Sequence, residues 1–535
     1  MVVSKKWHIH ILILIIIIGA SLRFVGTDWG LPVRLHPDEG FVTNDAYRLA
    51  ASRSFETKIY NRPNHISIKA NALIYLTVNK LLFGISEGTT VEDNYSSHIK
   101  IFYMASRMFS ALLGVLSIFL AYLICRRLHP DIGMIAATLY AIFPPFIEHA
   151  HYITPEIIQT FFMLLVIYFS VVYLEEKSMF ALVIMSVMAA FATCEKYPAG
   201  YVCVIIAFCV IRVHYNNIKN LLFRSISTVC IYVASIFLIS PVLLIDYSNV
   251  LAAVKAENHS AHLGADNLGV LGNFLYYFHR YFNHAGILLF CLAFIGVYFC
   301  IRHYRNVGIV FILGSLYIFP LSFTNLHWDR WGVPMYANML LLSAVGAYYS
   351  LILLLKKTNA IEAKMKRRRA ILSASLAAFF ILPFVSLLSS SLTVTAGFVA
   401  TDTRIASIEY CLENGISNEN TYYEGYTALN PTGPGTVFSG FDNLDITKPV
   451  DENISYVIIS SSMYNRYYAE PNRYKQQIEF YDRLKKECKT NMIFRPVSGK
   501  RSSPVEFANI YYSLSTFAQY VNGGKSGPTI IIYEI

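Results

Sequence analysis

Residues 7–41 read WHIHILILIIIIGASLRFVGTDWGLPVRLHPDEGF. The first part, Trp7 to Val25, is an apolar run long enough to cross a ~30 Å hydrocarbon core, which takes about 20 residues as a helix. Lys5 and Lys6 precede it and no small-residue cleavage site follows it. It therefore reads as a retained first span with the N-terminus in the cytoplasm, not as a signal peptide. The polar part ends in Arg34-Leu35-His36-Pro37-Asp38-Glu39-Gly40-Phe41. Pro37 fixes its own backbone and holds His36 in extended conformations. Two adjacent carboxylates, Asp38 and Glu39, then stand at the outer lip of the bilayer, where acids add nothing to anchoring.

Similar apolar runs recur along the chain. Its 535 residues are 55% hydrophobic and 15% charged, against roughly 25% charged in a soluble domain. Further spans are expected at Ile101–Cys125, Ile132–Ile147, Pro155–Glu176, Met179–Thr193, Ala199–Val213 and Ile226–Ile245. Two more flank Arg302 and Arg305, and the last lie at Val333–Leu355 and Ile371–Leu388. That makes about eleven, all helical because lipid leaves no other partner for backbone groups. The piece Ile66–Phe83 carries Lys69, Asn71, Asn79 and Lys80 against an apolar face and reads as a helix lying in the interface.

Lys and Arg mark one side: Arg126, Arg127, Lys177, Arg212, Lys219, Arg224, Arg302, Arg305 and the run from Lys356 through Lys364 to Arg369. The net charge of +10 is thus the positive-inside pattern, not a nucleic-acid surface. The expected fold class is an α-helical polytopic protein of the cytoplasmic membrane. Residues 1–391 form the membrane domain, with a first outer loop at 27–100. Residues 392–535 form a small extracytoplasmic α/β domain, with helices at Thr403–Asn414 and Tyr474–Lys489 and strands at Ile454–Ser460 and Thr529–Glu534. Most of the nine cysteines fall inside spans and read as packing residues. Cys411 and Cys488 lie in the tail, where a disulfide stays open.

The unusual polar residues gather on the outer side: Asp38, Glu39, Arg107, Glu148, His149, His151, Glu156, Lys196, Arg280 and Arg330. Ionisable groups at membrane depth are costly and point to function. Acids and bases at one face suit a reaction in which a carboxylate takes a proton from a hydroxyl while cations stabilise a departing phosphate. A lipid-phosphate leaving group needs no nucleotide site, and neither a GxxxxGK[ST] loop nor a GxGxxG after a strand is present.

Other readings stand beside this one. Asp38 and Glu39 also suit a helix first turn. Arg107, Lys196 and Arg330 also suit snorkelling to the interface. Glu148, His149, His151 and Glu156 invite a divalent metal, but His-x-His fits a strand better than a helix and no further ligand set follows; no cofactor is expected. His259, His262, His279 and Arg280 read as an outer loop, and Trp328 and Trp331 as interface aromatics. A transporter or lipid flippase would show repeated halves and broken helices, of which the sequence gives no sign.

Four stretches carry a family resemblance: His36-Pro37-Asp38-Glu39, the run Ser106-Arg107-Met108-Phe109-Ser110 to Gly114, His151-Tyr152-Ile153-Thr154-Pro155-Glu156, and Glu195-Lys196-Tyr197-Pro198. Asp402-Thr403-Arg404 and Tyr456 to Ser461 add a weaker match. The chain resembles the polyprenyl-phosphate-sugar-dependent glycosyltransferases of the GT-C fold, in the branch of protein O-mannosyltransferases and lipid A aminoarabinose transferases. The resemblance implies Asp38 as general base and Glu39 as a site residue held by Arg107. It implies Lys196 and Arg330 at the lipid phosphate, with His151 and Glu156 nearby. It also implies a polyprenyl-monophosphate sugar donor, a protein, lipid or glycan acceptor, and inversion at the anomeric carbon. Glu156 departs from the pattern, where Asp is commoner, and no MIR-type insertion is recognisable. A diphosphate-dependent polymerase or ligase is the rival enzyme.

Overall fold

The computed structural model describes residues 5–84, 90–258, 268–359, 366–427, 436–438, 454–498 and 503–535. His259, His262 and Lys364 lie outside the described residues. The chain forms two compact units. The first comprises Met1–Thr27, Asp38–Thr395 and Ser502–Tyr512, the second Asp28–Pro37, Ala396–Arg501 and Ser513–Ile535. Both are discontinuous, so the division is not a single cut near residue 391.

The first unit is helical. Among the described residues, nine helices are long and apolar enough to cross a membrane. One further pair, Pro130–Ala141 and Pro144–Ala150, bends by 55°, and Met179–Glu195 and Arg305–Leu321 are shorter apolar segments. Every expected span coincides with one of these. The segment 65–83, expected in the interface, is helical throughout and is one of the nine. It buries Ile68, Asn71, Ala72 and Tyr75, a single helical face.

Three expectations are corrected. The helix expected at Ile226–Ile245 runs from Ile218 to Ile239, because Asn217 caps it by accepting from the Asn220 amide at 3.1 Å. It stops at Ser240, which Pro241 forces out of helical geometry. His279 and Arg280 lie on the helix Gly269–His303, not in a loop; Asn273, Tyr277 and Tyr281 are buried at helical spacing there. Helices are also broken. Pro144 and Pro145 cannot continue the ladder beyond Ile142, and Gly286, at φ +82°, interrupts Gly269–His303.

The carbonyls freed at the first break find donors. The Arg23 guanidinium, buried at the end of Lys5–Phe24, donates to Tyr140 O at 2.7 Å, and to Ala141 O and Gly19 O at 2.9 Å. Ser391 Oγ donates to Ile142 O at 2.7 Å. Elsewhere Gly296 and Gly346 let Gly269–His303 and Val333–Asn359 touch backbone to backbone. A Cβ on either would meet a carbonyl oxygen, of Leu342 or Leu292, at 1.9 Å.

The second unit holds a five-stranded sheet in the order β2-β1-β3-β5-β4, with β1 Thr421–Glu424, β2 Thr436–Phe438, β3 Tyr456–Ser460, β4 Lys489–Phe494 and β5 Ile530–Glu534. β1, β2 and β3 run parallel; β5 runs antiparallel to β3 and β4. Helices Thr403–Glu413 and Lys475–Glu487 match expectation. Strands β1, β2 and β4 and helix Ser461–Tyr468 are additional, as is the helix Glu506–Val521, of which only the part from Ser513 belongs to this unit. Cys411, Tyr423, Ile458, Ile530 and Ile532 share a core. Cys411 and Cys488 are free thiols. Residues 28–37 join this unit through Arg404, which donates to Leu35 O at 2.9 Å and lies over the Trp29 ring.

Candidate active site

Asp38 is the N-cap residue of the helix Glu39–Ser52, yet its side chain makes no capping hydrogen bond. The helix forms because Glu39, Val42, Thr43, Ala46, Leu49 and Ala50 make one buried face. That face takes Glu39 inward and leaves the Asp38 side chain 24% exposed. The two neighbouring acids therefore have different surroundings.

Glu39 is wholly buried and fixed. Arg107, on Ile99–Arg126, binds it in a fork, Nε to Oε1 at 2.8 Å and Nη2 to Oε2 at 2.7 Å. The Ile153 amide adds a third bond to Oε1 at 3.1 Å, and Arg107 Nη1 also reaches Thr27 O at 2.9 Å. Arg107 is 0% exposed, so the snorkelling alternative does not describe it.

Asp38 faces two cations instead. Arg330 Nη1 bonds one carboxylate oxygen, and Arg62 Nη1 stands 3.7 Å from the other. Arg330 Nε is 3.8 Å from Glu156, at the start of Pro155–Glu176, and Lys196 Nζ is 3.2 Å from the same Glu156 oxygen. The charges alternate: Arg62, Asp38, Arg330, Glu156, Lys196. Glu156 thus joins Arg330 to Lys196, and Asp38 joins Arg330 to Arg62. Trp331 lies 5.2 Å from Lys196 Nζ and Trp328 lies 6.0 Å from the Arg330 guanidinium, ring to charge, so these aromatics back the cations.

A second layer holds this row. Asp329 accepts from Arg280, from Tyr336 and, at 2.7 Å, from His284, next to Arg330 in sequence. Glu195, 0% exposed, accepts from the Ser67 amide at 2.8 Å and from the Ser67 hydroxyl. That contact pins the corner carrying Lys196 to the start of His65–Val78.

Of the expected site residues, Asp38, Glu39, Arg107, Glu156, Lys196 and Arg330 thus converge. His151 stands apart: its ring nitrogens lie 2.8 Å from Ile147 O and 2.9 Å from Val25 O. Among the described residues no group of three or more His, Cys, Asp or Glu side chains is placed to share a metal ion, so Glu148, His149, His151 and Glu156 do not make such a set. Sequence reasoning missed Arg62, Glu195 with Ser67, His284 and Asp329. Arg62 looked like an ordinary loop cation, and only its place before Pro63 and a helix start hinted otherwise.

The class of protein that these elements define is a helical protein with nine membrane-length apolar helices among the described residues, carrying a row of alternating charges. A family profile described as dolichyl-phosphate-mannose-protein mannosyltransferase matches residues 103–245, which bears out the resemblance seen in the motifs. An uncharacterized protein of Aquifex aeolicus is 26% identical over 168 residues, 31% of this chain and 30% of that protein. Among solved structures, ArnT from Cupriavidus metallidurans bound to undecaprenyl phosphate is similar at 16% identity and TM-score 0.46, over 77% of this chain and 74% of that one. The oligosaccharyltransferase AglB from Archaeoglobus fulgidus, with an inhibitory peptide and a dolichol-phosphate, is similar at 13% identity and TM-score 0.48, over 92% and 74%.

Proposed function

We propose that the chain is a membrane glycosyltransferase that moves a sugar from a polyprenyl-monophosphate carrier to a hydroxyl of a protein, lipid or glycan on the extracytoplasmic face. One observation carries this reading: Asp38 is partly exposed, unused in capping, and set between Arg62 and Arg330. The family profile over residues 103–245 supports the lipid-linked donor.

The donor phosphate sits against Arg62, Arg330 and Lys196. The Asp38 carboxylate accepts the proton of the acceptor hydroxyl. The hydroxyl oxygen attacks the anomeric carbon as the bond from that carbon to the phosphate oxygen breaks. The electron pair leaves with the phosphate, whose charge the three cations stabilise. The products are an inverted glycoside and polyprenyl phosphate. Glu39 stays bound to Arg107 throughout and fixes the helix start that presents Asp38.

In proteoliposomes with a radiolabelled polyprenyl-phosphate sugar, Asp38→Asn is expected to lower transfer by about 10²–10⁴-fold with membrane insertion unchanged. Full turnover by Asp38→Asn would overturn the assignment. Turnover of diphosphate-linked donors alone would instead favour the polymerase or ligase.

A further inference from the structure

The chain between β4 and β5 leaves the sheet unit: residues Ser502–Tyr512 belong to the membrane unit. Asn509 anchors them there, its amide donating to Ser386 Oγ and Ser390 Oγ at 2.8 Å. Glu506, 5% exposed, meets the break at Gly286. Its Oε1 accepts from the Leu288 amide at 2.7 Å, and Pro504 O accepts from the Ile287 amide at 2.8 Å. These are the first amides of the second half of Gly269–His303, which the break leaves without partners inside the helix. A carboxylate there also suits the positive end of the helix dipole. The fit is close: a Cβ on Gly286 would stand 2.7 Å from Glu506 Oε1.

The segment just before the break carries His284 and Arg280, and both hold Asp329. Asp329 precedes Arg330, which bonds Asp38. A continuous helix through residue 286 would re-aim the turns carrying His284 and Arg280. We propose that Glu506 is a positioning residue for sugar transfer: by closing the break at Gly286 it keeps His284 and Arg280 on Asp329, and so Arg330 on Asp38. This rests on the glycosyltransferase reading and adds to it a dependence on a segment distant in sequence.

The test is a double-mutant cycle on the full chain in proteoliposomes, with a polyprenyl-phosphate sugar as donor. Glu506→Ala is expected to lower kcat about 10-fold with donor KM changed less than twofold, since Arg62 and Lys196 stay in place. Glu506→Gln keeps an acceptor oxygen for the Leu288 amide and is expected to restore kcat to within threefold of the parent. Asp329→Asn is expected to lower kcat similarly, and adding Glu506→Ala to it to cost less than twofold more, because both act on the same arginine. Should Glu506→Ala fail to reach the membrane, Glu506→Asp, with its shorter reach, carries the same cycle. An unchanged kcat in Glu506→Ala, or effects that multiply fully with Asp329→Asn, would overturn the positioning role. If the parent chain itself transfers no sugar from the polyprenyl-phosphate donor, the glycosyltransferase reading fails, which is a separate result.

Discussion

Two buried glutamates, one in each unit, have opposite surroundings. Glu39 and Glu424 are both 0% exposed. Glu39 meets the guanidinium of Arg107 in a two-bond fork. Glu424, at the end of β1, meets the Ser460 amide at 2.9 Å and the Tyr481 hydroxyl. Burial pushes the Glu424 carboxyl up to about 7, against the lowering effect of those two donors. The membrane unit therefore balances a buried acid with a cation, and the sheet unit with a proton. The two-bond fork fixes the Glu39 carboxylate in place, which suits a site that must hold its geometry while a phosphate comes and goes. A proton leaves the acid answerable to pH.

The comparison breaks most visibly at Arg107. Arg107→Ala strands Glu39 without its counter-charge, an expected loss of about 3–5 kcal/mol together with transfer activity. Thermal unfolding in detergent would register it. The pair Arg107→Met with Glu39→Gln should regain much of the stability, and if it does not, Glu39 is held by something other than charge.

A smaller effect is expected at the pair of Lys196, 16% exposed, with the buried Glu156. Lys196→Met and Glu156→Gln each remove one partner of a 3.2 Å pair. The double variant should show a coupling of about 1–3 kcal/mol in donor binding. Strict additivity would mean that the two groups do not act together.

The effect at Glu424 depends on pH and vanishes in acid. Below the ordinary 4.5 the carboxyl is protonated folded or unfolded and contributes nothing. Between 4.5 and about 7 only the unfolded chain ionises, so stability falls as pH rises, by about 3 kcal/mol in full. Glu424→Gln should flatten that slope. Hydrogen exchange of β1 and β3 amides between pH 5 and 8 would read it, and an unchanged slope would count against the proton as the balancing charge.

The membrane unit was legible because long apolar runs with basic ends have few interpretations. Asp38, Glu39, Arg107, Lys196 and Arg330 stood out as charges beside such runs. Arg62 did not, since a basic residue in a polar stretch is ordinary; its value comes from the fold bringing it 3.7 Å from Asp38. The Asp329 network was hidden because the stretch with His279 and Arg280, read as an outer loop, is part of a helix that continues through His284. The sheet was only half legible: β1 has four residues and β2 three, too short to display alternation. The helix Glu506–Val521 gave no warning that its residues up to Tyr512 belong to the membrane unit. Its partners at Gly286 and Ser386 are remote in sequence, and nothing local encodes them.

Arg23 has a consequence for how the molecule is made. Its carbonyl partners Tyr140 and Ala141 lie 117 and 118 residues further on. While the chain is being threaded into the bilayer, the first helix is in place long before they are. In that interval the guanidinium has Gly19 O on its own helix and lipid headgroups within reach. It exchanges the headgroups for peptide oxygens when Pro130–Ala141 arrives and stops short at its prolines. Gly114 leaves just enough room for the arrival, since a Cβ there would sit 3.0 Å from Arg23 Nε. The bend after Ala141 is thus also the point at which Lys5–Phe24 is fastened to the rest of the bundle.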